Sequence, residues 1–370
     1  MTASPSPYDA RLTRLRQRMT RSHTDLVVLG PSSHMMWLTG VNPHGDERPV
    51  LLIISQSHAG FLMPKLNADS ARSATNLPFH CWSDDVGPDQ ALSDLLAACD
   101  AQRPGLQVVL DETMRADFAL RLLGALDAPQ HRFTDDTVGA LRAVKEDSEY
   151  QSLKAAHLFN DAAVKQAFAS LETGMSERDV QAILHSHYKA NGAKPEFTIV
   201  GFGANGAFPH HHTGDSTLSP GMAVLIDTGC RVQGYPSDMT RCGWFGAPDP
   251  AYLDVAQVVE QAVQAALAAA RPGAVAADVD RAAREVITAA GYGEHFLHRT
   301  GHGLGVDVHE PPYITATSNV VLEEGNVFSI EPGIYLPGHF GVRLEEIVIL
   351  RQDGAEILSE LSRDIAIVSG

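Results

Sequence analysis

Hydrophobic and polar positions follow two different regimes along this chain. In the first third, short apolar runs at 26–29, 50–54 and 108–110 have strand length. Thr39-Gly40, Asn42-Pro43, His44-Gly45 and Pro104-Gly105 separate them as loop signals. Residues 8–20 set Leu12, Leu15 and Met19 on one helical face with arginines elsewhere. A second helical pattern over 117–126 is stopped by Asp127-Ala128-Pro129. Strands alternating with helices predict a small α/β domain with a partly parallel sheet.

The regime changes near 137–144, which divides the chain into an N-terminal domain over 1–138 and a second domain over 139–370. Glu146-Asp147-Ser148-Glu149 supplies capping and acidic residues ahead of a helix over 149–171, which Thr173-Gly174 ends. Further helices are expected over 176–191, 250–270 and 278–290, the third of the four being alanine-rich. Strand patterns fall at 198–201, 223–227, 239–245, 327–330 and 342–350. Runs of helices separated from runs of strands predict an α+β domain, with a curved, mostly antiparallel sheet covered by helices on one face.

Composition narrows the classes. With 44% hydrophobic and 20% charged residues, the chain is ordinary for a globular protein. The net charge of −17 argues against a nucleic-acid binder or a basic membrane-surface protein. No run approaches the roughly 20 apolar residues of a membrane helix. The N-terminus over 1–19 has prolines and arginines but no apolar core, so no secretory leader is expected. Cys81, Cys99, Cys230 and Cys242 form no C-x-x-C pair, and reduced thiols in a cytoplasm are the expectation.

Candidate chemistry concentrates in the second domain. Asp227, Asp238, His302, Glu331 and Glu345 lie on or beside apolar strand segments or between glycines. Taken singly, each reads as an ordinary strand-end, loop or salt-bridged residue. Jointly they stand in Ile226-Asp227-Thr228-Gly229, Ser237-Asp238-Met239-Thr240-Arg241, Thr300-Gly301-His302-Gly303, Ser329-Ile330-Glu331-Pro332-Gly333 and Val342-Arg343-Leu344-Glu345.

That series resembles the pita-bread metallopeptidases, the family of prolidase (Xaa-Pro dipeptidase), aminopeptidase P, methionine aminopeptidase and creatinase. The resemblance implies a pita-bread catalytic domain preceded by a creatinase-type α/β domain. It implies a dinuclear site in which Asp227 binds one metal, Asp238 and Glu345 bridge both, and His302 and Glu331 complete the other. Four carboxylates and one imidazole with no thiolate suit Mn²⁺ or Co²⁺, with Zn²⁺ and Mg²⁺ as further candidates. In such metal pairs a shared water becomes hydroxide near neutral pH, and that hydroxide is the expected nucleophile.

By the same resemblance, His210 in Phe208-Pro209-His210-His211-His212 is an active-site histidine. His309 hydrogen-bonds the scissile carbonyl or shuttles a proton, His298 helps hold substrate, and Glu331 is the general base. Arg343, two residues from Glu345 on an expected strand, would share its face and hold a bridging carboxylate. Tyr235 is either a further partner of this cluster or a core aromatic. The expected reaction is cleavage of the Xaa-Pro bond of a dipeptide by a homodimeric enzyme. A loop at 41–48 is a candidate for reaching a partner subunit's site. Tyr313 stands where several relatives carry a carboxylate-binding arginine, so aminopeptidase P, acting on longer Xaa-Pro peptides, stays open beside the dipeptidase. The same fold also hosts creatinase, methionine aminopeptidase and inactive binding modules. The complete ligand set argues against creatinase and a binding module, and the N-terminal domain against methionine aminopeptidase.

Overall fold

The computed structural model describes residues 6–370, so the first five residues of the N-terminal segment, where no leader is expected, lie outside the described residues. The chain divides into two compact units, Met1–Arg142 and Ala143–Gly370.

The first unit is built on six strands in the order Phe79–Trp82, Ala59–Pro64, Leu51–Ile54, Leu26–Leu29, Gln107–Leu110 and Gln130–Arg132. Leu26–Leu29 pairs antiparallel with Leu51–Ile54 and parallel with Gln107–Leu110, so the sheet is partly parallel. Its helices include Asp89–Ala98 and Ala116–Gly124, whose Leu92, Leu95, Phe118 and Leu122 pack against Leu26, Val28 and Val108. The opening helix, Pro7–Arg21, differs from the sequence pattern in one respect: it buries Arg11, Leu15 and Met19 rather than Leu12. Arg11 is tolerated there because Nη1 donates to the Trp37 carbonyl at 2.6 Å and the guanidinium lies 4.5 Å from the Trp37 ring centre. The short helix Ser33–Thr39 was not visible in the pattern; Ser32 caps it and Gly40, at φ 75°, ends it.

In the second unit the strands form two five-stranded sheets and a two-stranded ribbon rather than one sheet. The first sheet centres on Met222–Val232, flanked antiparallel by Lys194–Phe202 and Met239–Phe245. The second runs Glu310–Ile314, Gly301–Gly303, Val327–Ile330, Glu346–Arg351, Gly354–Ile357. The ribbon joins Gly333–Leu336 to Phe340–Arg343. The expected strand over 342–350 is therefore two strands in different sheets, interrupted at Leu344 and Glu345.

Four helices cover these sheets. Asp147–Ala169 opens with a capping box between Glu146 and Glu149, and Glu177–Ala190 with one between Ser176 and Asp179. Pro250–Ala269 starts with Pro at its first turn and an Asp249 side-chain cap. Its Tyr252, Val255, Val259, Val263 and Ala266 are buried at helical spacing against Phe328, Val342 and Val348. Each such valine contributes about 1.5–3 kcal/mol by leaving water, so Val263→Asp would undo the docking of this helix.

Candidate metal centre

Five backbone segments place the acidic residues and the histidine. Asp227 lies on the central Met222–Val232 strand, opposite Thr240 in register, and Asp238 immediately precedes the Met239–Phe245 strand. His302 occupies the short Gly301–Gly303 strand. A Cβ at Gly301 would come within 1.8 Å of the Ser329 carbonyl oxygen, and one at Gly303 within 2.3 Å of the Glu310 oxygen. Only glycines on either side let this strand press against its neighbours and bring the His302 ring to the acids. Glu331 follows Val327–Ile330 directly. Glu345 projects from the two-residue gap between sheets, where its amide donates to the Thr240 carbonyl at 3.4 Å and its own carbonyl accepts from Arg241 Nη1 at 2.6 Å.

The side chains converge. Ligand atoms of Asp227, Asp238 and Glu345 lie within 4.8 Å of one another, and so do those of His302, Glu331 and Glu345, and of Asp238, His302 and His309. His302 Nε2 is 3.3 Å from Glu331 Oε1 and 3.6 Å from Asp238 Oδ2. All nine residues singled out above for metal or catalysis line one cavity of about 740 Å³. Phe197, Ile199, Pro209 and Val308 form its apolar wall.

Burial and mutual repulsion set the charges. Asp238 and Glu345 are held well above the ordinary carboxylate range by burial, reinforced by the neighbouring acids. Burial likewise raises Glu331, to about 7, against the pull of Arg343. Burial pushes His302 down to about 3 and His298 to about 4, so both rings are neutral at physiological pH and His302 keeps a lone pair for a ligand.

Asp227 Oδ1 and Glu345 Oε1 are buried with no hydrogen-bond partner among the described residues. Orphaned anionic oxygens are costly unless something positive meets them. A hard, oxygen-rich set with one neutral imidazole, crowded acids and unpartnered buried oxygens fits divalent cations well.

A surrounding layer of contacts orders these side chains. Arg343 Nη2 donates to Asp227 Oδ2 at 2.5 Å, and its Nε donates to Thr240 Oγ1 at 2.9 Å. Thr240 Oγ1 donates to Glu345 Oε2 at 2.9 Å. Arg343 therefore reaches Glu345 through Thr240, not by sharing a strand face with it. His157, fully buried on the Asp147–Ala169 helix and lowered to about 4 by that burial, donates from Nδ1 to the Leu153 carbonyl and accepts the Asp238 amide at 3.3 Å.

Tyr335 is a participant that the sequence reading missed. Its hydroxyl accepts from Arg343 Nη1 at 2.8 Å and lies 2.7 Å from His298 Nε2. Because His298 Nδ1 donates to the Arg299 carbonyl at 2.7 Å, the neutral ring presents Nε2 as acceptor for the tyrosine proton. The available signal was its place four residues after Glu331, at the end of the same Pro-Gly motif. His309 lies beside His302 with ring centres 3.9 Å apart and the rings tilted by 54°, and His210 faces the cavity. His211 turns away to Glu177 at 2.8 Å. Tyr235 does not line the cavity; its hydroxyl donates to Glu149 at 3.1 Å.

A buried, carboxylate-rich cluster open to a peptide-sized cavity, built between two sheets, defines a hydrolase of the metallopeptidase class. The chain belongs to metallopeptidase family M24, which matches residues 151–352, and its first part matches the creatinase/prolidase N-terminal domain over residues 11–144. It is 33% identical to the Xaa-Pro dipeptidase of Lactobacillus helveticus over 96% of this chain and 98% of that one. Among solved structures, dipeptidase PepE from Mycobacterium ulcerans superposes with TM-score 0.93 at 33% identity, covering 98% of both chains. The X-Pro aminopeptidase of Thermotoga maritima does so with TM-score 0.83 at 29% identity, covering 96% of this chain and 99% of that one. The family and these acidic groups together make the enzyme dependent on divalent metal. Among the described residues, no helix is long and apolar enough to cross a membrane.

Proposed function

We propose that this metallopeptidase is a Xaa-Pro dipeptidase using two divalent ions, Mn²⁺ or Co²⁺ in preference to Zn²⁺. The observation that carries the reading is the convergence of Asp227, Asp238, His302, Glu331 and Glu345 on one cavity. Glu345 belongs to two of the ligand triads and Asp238 to two, one of them shared, which supports bridging roles for both. Asp227 would complete the ligands of one ion, and His302 with Glu331 those of the other. Bound divalent ions supply Lewis-acid polarisation of the scissile carbonyl and an acidified water.

The chain's own groups do the rest. Glu331, on the wall of the same cavity, accepts the proton of the attacking water. His309 and His210 are placed at the cavity wall to donate to the carbonyl oxygen as it gains charge. Glu331 then has that proton to pass to the departing proline nitrogen, which has no N–H of its own, while the Arg343–Tyr335–His298 chain holds the His298 ring at the cavity wall. Phe197, Ile199, Pro209 and Val308 offer the pyrrolidine ring an apolar surface. A functional division at 138/139, a homodimer and a cytoplasmic setting belong to the same reading. The four free cysteines support the last, and light scattering tests the dimer.

Aminopeptidase P is the second reading, favoured by the similarity to the Thermotoga maritima enzyme. Xaa-Pro and Xaa-Pro-Zaa peptides assayed at equal metal loading separate the two. Hydrolysis of the dipeptide is expected, and cleavage confined to the longer peptide overturns the first reading.

A further inference from the structure

A dipeptide brings an ammonium group at one end and a carboxylate at the other into a cavity whose charged lining is mostly acidic. The acids suit the ammonium; the carboxylate needs a cation that nothing else has neutralised. Two arginines line the cavity, Arg343 and Arg299. Arg343 is fully committed, to Asp227, Thr240 and Tyr335. Arg299 is different. Among the described residues its guanidinium has no carboxylate partner; it lies 4.8 Å from the ring centre of Tyr313. Glu196, the remaining acid of the lining, is already claimed by Arg231 at 2.9 and 2.6 Å. Arg299 is close enough to the centre for its charge to act on His302, His309 and Glu331.

We infer that Arg299, propped on the Tyr313 ring, is the group that binds the substrate's C-terminal carboxylate and thereby sets the preference for peptides ending at proline. This rests on the dipeptidase reading. A cation–π contact with the partly exposed Tyr313 ring steadies the guanidinium without consuming its donors, leaving a fork for two parallel bonds to a carboxylate. The backbone also fixes its root, because the Arg299 carbonyl is tied to His298 Nδ1. Residue 299 is thus anchored at its main chain and steadied at its head, and among the described residues no acid neutralises it. A peptide continuing beyond proline presents an amide to this fork and forfeits the ion pair.

The test compares a Xaa-Pro dipeptide with the same dipeptide carrying a C-terminal carboxamide, on the metal-loaded full chain and on Arg299→Met and Arg299→Lys. The wild type is expected to favour the acid by about 10- to 100-fold in kcat/KM, the range of a charge-assisted hydrogen-bonded pair. Arg299→Met is expected to lose that preference, chiefly through KM on the acid, with a far smaller loss on the amide. Arg299→Lys is expected to keep part of it, since a point charge cannot form the two-pronged contact. Equal turnover of acid and amide by the wild type overturns the inference without any variant. Equal losses on both substrates in Arg299→Met also overturn it, as a general structural role. If the metal-loaded wild type cleaves neither substrate, the dipeptidase reading falls and this inference with it.

Discussion

Arg343 and Asp227 form a buried ion pair, with Nη2 2.5 Å from Oδ2, and the same guanidinium leads through Thr240 to Glu345. One arginine thus fixes an acid from a central strand and another from the gap between two sheets. In the chain stripped of metal, Arg343→Met leaves Asp227 buried without compensation. We expect a loss of about 3–5 kcal/mol in unfolding free energy by denaturant titration, the range for breaking a buried pair. An unchanged midpoint would mean that the pair does not hold the site together.

Glu331→Gln keeps the shape of the side chain and removes the proposed proton acceptor. We expect kcat to fall by about 10²–10⁴ at saturating metal, the usual contribution of a positioned base. Stopped-time assays with metal content measured on the same samples check it, and near-normal turnover at full loading would remove Glu331 from the role.

Tyr335→Phe deletes one hydroxyl from the chain linking Arg343 to His298. A fall in kcat/KM of about 10-fold is expected if that chain fixes the His298 ring against the substrate. Unchanged kinetics would remove the chain from the site.

Metal and pH are linked through the same acids. Asp238, Glu345 and Glu331 are raised by burial, Glu331 to about 7, so without metal the folded state binds more protons than the unfolded one. Stability of the metal-free chain should therefore fall as pH rises from the ordinary carboxylate range through about 7. Divalent ions displace those protons, so the rise in Tm on adding Mn²⁺ should be larger at neutral than at mildly acidic pH. Thermal melts with and without Mn²⁺ across that window measure it; a metal-induced shift that shrinks towards neutral pH would contradict it.

The five acidic and histidine positions were legible because each sits in its own short motif of glycine, proline or strand residues, whose purpose the structure explains: Gly301 and Gly303 permit a close approach that no other residue allows. Arg343 was legible as a residue of the site, but its route was not. The run over 342–350 reads as one strand because its apolar residues are continuous, whereas burial on both sides of a sheet change leaves the same pattern. His157 and Thr240 act through contacts between elements far apart in the chain, which periodicity does not encode. Arg11 looked like solvent-facing charge because its Trp37 partner comes from another helix. The pairing of Arg299 with Tyr313 is likewise a tertiary relationship, invisible until the Gly301–Gly303 and Glu310–Ile314 strands are placed side by side.

The central claim is that the five converging side chains bind a catalytic pair of divalent ions. The most direct measurement strips the protein with chelator, returns Mn²⁺ in steps, and determines bound metal per chain by mass spectrometry alongside Xaa-Pro hydrolysis in the same samples. The account predicts no hydrolysis in the stripped chain and activity that rises with occupancy to a plateau at about two ions. Full hydrolysis by a chain carrying no metal would contradict it.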